Sequence, residues 1–432
     1  MSEKNGQIIS RMSATYQSPR LSYETPDCSL PLTMDTYSTC GYACLYCFSW
    51  MERADNPAIL SRCGRGENIT KVDFEKIKKL FSGEAKNRQS KLFYEVFIKN
   101  KKVMQWGGLT DPFDTIEEKE GESLKLVKFF KEINYPIRIC SKGAKVLMKP
   151  EYIEAFTGSK NFIMMWTIIT TDDEMAKKIE INAPSSSERF EAMKTYHALG
   201  IPQIIRIRPF IQGITSSCWE ELIEKAHECG AEAISVEWLC IQRMAGVKVR
   251  ERYERLSKIL GYDIFEYYRK LSTGAISYMR LNPKIKEKYV FGMRDLCHKL
   301  GMRFAISDPH FKYLNDTLSC CGLGDNWNFM TPPFNLALKI AKEKGVVYWK
   351  DIEQSIDWAK VFMGNEVWIA RSKNNFRKRK IQTAKDYIRT LWNTTKKAGY
   401  CPYLYFANFL QPVGKDKEGN IIYKVNNNFQ NQ

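Results

Sequence analysis

The chain predicts an α/β protein built on a partial (β/α)6 barrel of the TIM type, continued by a mainly helical C-terminal extension. Three observations carry this prediction. Between about Leu30 and Trp238, short apolar runs alternate with amphipathic helical patterns, as parallel strands joined by crossover helices require. Beyond Trp238 the pattern changes to longer helices. A cysteine-rich loop follows the first strand, and barrel enzymes place their chemistry at the C-terminal ends of strands.

In chain order, the strand candidates are Leu32–Tyr37, Val103–Gly107, Ile137–Ser141, Phe162–Ile168, Ile204–Pro209 and Ala233–Trp238. Helical patterns lie between them. Glu122–Ile133 spaces Leu124, Val127, Phe130 and Ile133 at helical intervals, and Ser187–Leu199 stops at Gly200, a C-cap. Long helices are expected at Arg250–Leu271 and Pro283–Leu300, with an extra strand at Arg303–Ser307. The Asp-, Asn-, Gly- and Pro-rich stretch Asp308–Asn335 reads as a loop able to fold over the barrel mouth. The expected divisions are an N-terminal segment (1–29), the core barrel with its following helices (30–310), and an extension (311–432). That extension carries a basic helix with Ile381, Ala384, Ile388 and Leu391 on its apolar face, and it ends in a frayed polar tail from Asn426.

At 432 residues, 44% hydrophobic and 13% aromatic, the chain can bury a large core, which excludes a disordered scaffold. Its first residues, Met1–Gln7, lack the apolar core of a signal peptide, and no stretch approaches the ~18 apolar residues of a membrane span. A cytoplasmic protein without membrane contact is therefore expected. In a reducing compartment its 13 cysteines are free, metal-bound or catalytic. The net charge of +17 is concentrated between Ile369 and Lys397, where ten Lys and Arg (Arg371 to Lys397) face one acid, Asp386. Such a cluster is either a footprint for phosphates or a solvated helix face.

Cys40, Cys44 and Cys47 form a C-x3-C-x2-C triplet within Thr39–Phe48. Three thiolates in one loop can hold an iron–sulfur cluster and leave one iron without a protein ligand, whereas electron-transfer clusters are closed by four. Structural zinc also needs four ligands. Cys28, twelve residues before Cys40, or Cys63, sixteen after Cys47, would have to supply the fourth.

The triplet with Tyr46 and Phe48 resembles the signature of the radical S-adenosylmethionine (radical SAM) enzymes, whose core is a partial (β/α)6 barrel. The resemblance implies a [4Fe–4S] cluster whose open iron is chelated by the amine and carboxylate of S-adenosyl-L-methionine. Reductive cleavage then yields a 5′-deoxyadenosyl radical that abstracts hydrogen from a substrate. It also implies a reductant such as flavodoxin or ferredoxin.

Trp106–Asp114 resembles the spore photoproduct lyase-like subgroup, and the resemblance assigns Gly107, Gly108, Thr110 and Asp111 to the cofactor; a tight βα turn would use the same residues. By the same resemblance Lys142, ending Ile137–Lys142, meets the cofactor carboxylate; a solvated lysine is the alternative. Thr167 and Thr170 offer hydroxyls to that carboxylate or the ribose. Arg206 and Arg208 share a strand face at period two and suit anionic cofactor or substrate contacts, or else salt bridges to Glu180 or Glu237. Cys140 reads as core.

The match spans roughly Leu30–Pro309, with one departure. Spore photoproduct lyases proper carry a hydrogen-donating cysteine where Gly108 stands here, which argues against thymine-dimer repair by that route. Cys320 and Cys321, with Cys297 and Cys401, are candidates for a second cluster or a thiol hydrogen donor, or are buried packing; His310 beside them reads as structural. The expected function is radical SAM chemistry on a nucleobase or nucleotide. The alternatives are modification of a peptide or small metabolite, or a nucleic-acid-binding protein with a structural metal site.

Overall fold

The computed structural model describes residues 7–9, 18–21, 28–30, 32–54, 69–273, 278–356, 361–363, 384–395 and 401–429. Its centre is a curved parallel sheet of β1 (Leu32–Met34), β2 (Met104–Trp106), β3 (Ile137–Ser141), β4 (Phe162–Thr167), β5 (Gln203–Phe210), β6 (Ala231–Trp238) and β7 (Arg303–Ile306). The strands pair in sequence order, and a short edge strand, Arg20–Leu21, runs antiparallel to β1. The six expected strands are present, and the extra one at Arg303 joins the same sheet beside β6. β1 ends three residues earlier than expected because Asp35 leaves the ladder to bind the loop after β2.

Side chains alternate between two apolar layers. Trp106, Ile139, Trp166, Ile205 and Val236 face the outer helices. Val103, Cys140, Ile163, Met165, Ile204 and Ala233, of the opposite parity, face inward to a second cluster. Both faces of β3 and β4 are buried, as in other helix-covered parallel sheets.

Helices Glu122–Glu132 and Ser186–Ala198 match their predicted spans, the second opened by a Ser185/Glu188 capping box. The expected single helix Arg250–Leu271 is two, Val247–Leu260 and Ile264–Leu271. Gly261 at φ 75° ends the first, and Asp263 caps the second by accepting from the Phe265 and Glu266 amides.

The stretch after β7 does not fold over the mouth. Asn315 bonds Ile306 and Asp316 accepts from the Phe304 amide, so the chain runs back along β7 toward its start. Arg303 donates to Gly322 O, Gly322 lies against Ala233 and Ile204, and Asn328 O accepts from Val103 N. Residues 320–329 therefore floor the barrel at the N-terminal ends of its strands. The reason is apolar: Cys321, Leu323 and Phe329 complete the inner cluster.

The extension is helical at Pro333–Lys344 and Ala384–Trp392 and adds a three-stranded antiparallel sheet of Val346–Val347, Ile421–Val425 and Leu410–Lys415. Ile388, Leu391 and Trp392 are buried as the helical pattern requires. Phe429 packs on Tyr313 and Phe409, so the tail is tied down to that point. Of the basic segment, 371–383 and 396–397 lie outside the described residues; Lys385 pairs with Glu353 and Arg389 with Glu418.

Candidate functional site

Cys40, Cys44 and Cys47 occupy the loop from β1 to helix Phe48–Ala54, at the C-terminal face of the sheet. The loop backbone is held from several sides. Leu45 N donates to Ile179 O at 2.9 Å, Asn182 Nδ2 to Gly41 O at 2.8 Å, and Gly41 N to the Asp114 carboxylate at 2.5 Å. Arg252 donates to Cys44 O at 2.7 Å and stacks 3.5 Å over Trp50. Cys44 is buried, and Cys40 and Cys47 are half-buried. Burial pushes the Cys44 thiol up to about 12, with Lys142 opposing, and burial with the Asp114 and Asp111 charges raises Cys40 well above its usual range. A coordinated metal would deprotonate such thiols outright.

Three soft thiols on one pinned loop suit an iron–sulfur cluster completed by an outside ligand. Among the described residues no three Cys, His, Asp or Glu side chains, the Cys40, Cys44 and Cys47 triplet included, are gathered closely enough to hold a metal ion. Cys28 packs against the inner cluster at the barrel floor, the opposite end of β1, which removes it as a fourth zinc ligand. Cys63 lies outside the described residues.

Tyr46 joins this loop to a buried ionic network that sequence reading missed. Its hydroxyl donates to Glu180, which pairs with Arg189 at 2.6 Å and with Lys142 at 3.8 Å. Glu180 and Arg189 are fully buried, and Lys142 also lies 5.6 Å over the Tyr46 ring. Arg189 further donates to the carbonyls of Thr167 and Pro184. Lys142 is thus held by Glu180 over the ring of Tyr46, within the cysteine loop's surroundings. Arg189 sits in the first turn of helix Ser186–Ala198, and no local sequence signal marks it as this partner. Phe48 is exposed at the start of its helix.

The loop after β2 is braced from within. Gly107, at φ 88°, is required: a Cβ would collide with Cys140 O and stand 2.9 Å from Pro112 Cδ. At Gly108 a Cβ would stand 2.7 Å from Thr33 Oγ1. Thr110 is buried, its amide 2.9 Å from Asp35 and its hydroxyl 3.1 Å from Tyr37 O. Asp111 accepts from Ser141 Oγ and the Lys142 amide, both at 2.6 Å, and from Phe113 N. Asp111 is therefore a strut between the β2 and β3 loops that positions Lys142. Asp35, also bonded to Arg20 at 2.5 Å, does the same for Leu109 and Thr110.

Thr167 and Thr170 are buried at the end of β4. Thr167 Oγ1 accepts from Arg206 at 3.4 Å, while Thr170 Oγ1 accepts from Asp172 N and the Cys218 thiol. Arg206 and Arg208 are half-buried on the inner face of β5, and Arg208 meets Glu237 at 3.7 Å, as one alternative anticipated. Glu180 instead pairs with Arg189 and Lys142.

Cys320 and Cys321 lie on the floor segment in contact with the inner cluster. Cys297 packs in the outer core instead, and Cys401 is buried in the C-terminal extension, so the four are not brought together. His310 bonds Asp308 at 3.1 Å, and Asp308 also holds the buried Lys286 at 2.5 Å, a structural arrangement.

No family model matches the chain, and no curated protein matches it significantly. Among solved structures, a spore photoproduct lyase variant with bound AdoMet and dinucleoside spore photoproduct is similar over 66% of this chain and 80% of its own, at 14% identity and TM-score 0.49. SuiB of Streptococcus suis bound to S-adenosylmethionine is similar over 66% of this chain and 52% of its own, at 12% identity and TM-score 0.40. With precursor peptide SuiA bound, SuiB is similar over 66% of this chain at 13% identity and TM-score 0.40. Among the described residues, no helix is long and apolar enough to cross a membrane.

Proposed function

We propose that the chain is a radical SAM enzyme whose Cys40, Cys44 and Cys47 hold a [4Fe–4S] cluster that binds S-adenosylmethionine. The observation that carries this reading is the pinned three-thiol loop at the C-terminal face of a parallel barrel, beside the Gly107–Gly108 turn and Lys142. When bound and reduced by a flavodoxin- or ferredoxin-type donor, the cluster supplies the electron that splits the cofactor sulfonium. The chain's own residues do the positioning. Asp111 and Asp35 set the β2 and β3 loops, Lys142 presents a cation for the cofactor carboxylate, and the Glu180 network fixes Tyr46 and the cysteine loop. Anaerobically reconstituted protein should bind about four irons and, when reduced, release 5′-deoxyadenosine and methionine. Stoichiometric zinc without cleavage would overturn the reading.

Lys142→Ala should weaken S-adenosylmethionine binding by roughly 10- to 150-fold, the loss of a charge-assisted hydrogen bond of about 1.5–3 kcal/mol. The cluster should stay loaded, because the contact is to the carboxylate and not to iron. Unchanged affinity in cluster-replete protein would remove Lys142 from the cofactor site.

The substrate in this reading is a nucleobase or nucleotide, supported by the +17 charge and by arginines in the barrel. If the Arg371–Lys397 segment also contacts a polynucleotide, affinity should fall with salt at a log–log slope of roughly −3 to −5 for four to six contacts. Replacing Arg377, Lys378, Arg379 and Lys380 by Gln should flatten the slope and spare cofactor cleavage. Absent affinity at low salt would leave that charge as a solvated helix face, with peptides or small metabolites as substrates.

A further inference from the structure

Three guanidinium groups converge in the barrel lumen. Arg138 shares its strand face with Cys140, and Arg206 and Arg208 share theirs with Ile204, both members of the inner cluster. In register across the sheet, Thr33 stands beside Gln105, Gln105 beside Arg138, Thr167 beside Arg206, and Arg206 beside Ser235. Thr33, Gln105 and Arg138 thus line one stretch of the inside wall and Thr167, Arg206 and Ser235 another, with the apolar Ile163 in register beside Arg138.

Among the described residues this inner wall is short of negative charge. Arg138 is 2% exposed, its hydrogen bonds reach only the neutral Gln105 Oε1 and the Met165 sulfur, and its Nε has no partner among the described residues. The Thr33 hydroxyl is likewise buried without one. Arg206 donates to the neutral Thr167 hydroxyl. The carboxylate in contact is Glu237, 3.7 Å from Arg208, and it is shared with Arg280 at 3.4 Å. Arginine does not deprotonate in proteins, and an unpaired buried charge costs several kcal/mol. Among the described residues, Arg138 and Arg206 meet no carboxylate and Glu237 is shared by Arg208 and Arg280, so the lumen is prepared for an anion. Guanidinium forks match phosphate oxygens.

We propose that the lumen binds the phosphate group of a small phosphate monoester, on Arg138, Arg206 and Arg208, as the anchor of the substrate. This rests on the radical SAM reading and narrows its substrate class. The cofactor carboxylate belongs at the cluster, beyond the strand ends. Arg138 lies four residues before Lys142 along β3, on the order of 13 Å deeper at the strand rise of ~3.3 Å per residue. The floor of residues 320–329 closes the far end, so the lumen admits a free ester and excludes a duplex. Cys321 reports on the site. A hydrogen bond from Cys320 and the charges of Arg138, Arg208 and Arg206 lower its thiol below the usual range against burial, so it senses the same three guanidiniums.

Equilibrium dialysis of the full, cluster-loaded chain should show one bound inorganic phosphate or uridine 5′-monophosphate, with uridine and acetate at least about tenfold weaker. Arg138→Gln should weaken phosphate at least about tenfold, the loss of a charge-assisted contact, and Arg206→Gln provides the same reading should the first variant misfold. Iodoacetamide labelling of Cys321, followed by peptide mass, should slow when phosphate is bound and in Arg138→Gln alone. Uridine binding as tightly as its monophosphate, acetate matching phosphate, or affinity indifferent to both arginine variants would overturn the proposal. Neither measurement needs cofactor cleavage. Phosphate binding without cleavage would sink the radical SAM reading alone, and cleavage without phosphate binding would sink this inference alone.

Discussion

Alanine at Cys40, Cys44 or Cys47 is expected to abolish both iron binding and release of 5′-deoxyadenosine, an all-or-none effect. A cluster already short of one protein ligand has none to spare, and two thiolates on a loop do not retain four irons. The fold should survive, because the loop is held by backbone bonds to Ile179, Asn182, Asp114 and Arg252 that involve no thiol. Iron content, cofactor product and circular dichroism, measured on the three variants, separate these effects. A variant that keeps its iron would show that its cysteine is not a ligand.

The second large effect is on stability. Glu180→Gln leaves the Arg189 and Lys142 cations together in a buried site without their carboxylate. Removing one partner of a buried pair typically costs about 3–5 kcal/mol, far more than the pair contributes over an apolar replacement. Denaturant unfolding should show a loss of that order, and cluster loading should fall with it because Tyr46 is anchored on the same carboxylate. Combining Glu180→Leu with Arg189→Met should recover part of the loss by removing the stranded charge. A loss under about 1 kcal/mol in Glu180→Gln would mean that water already reaches the network.

The sequence by itself determined what is local. The cysteine spacing, the alternation of strand and helix, the Gly200 stop and the glycine pair after β2 are all written within a few residues. Strand periodicity and turn chemistry act over that range, so β3 and helix Ser186–Ala198 fell at or within a residue of their predicted bounds. Period two also placed Arg206 and Arg208 on one face.

Only the tertiary structure decided which residues meet. Tyr46 and Glu180 are 134 positions apart, and Asp35 and Thr110 are 75 apart. Asp111 could bind a ligand or brace a loop, and only the closeness of Ser141 and Lys142 shows that it braces. The floor segment looked like a lid because its composition is that of any long loop. Its direction was set by Cys321, Leu323 and Phe329 finding the apolar end of the lumen. Arg138 carried no motif; its importance comes from a register that aligns it with Gln105 and from the absence, among the described residues, of a carboxylate within its reach, and burial and pairing are properties of the closed barrel.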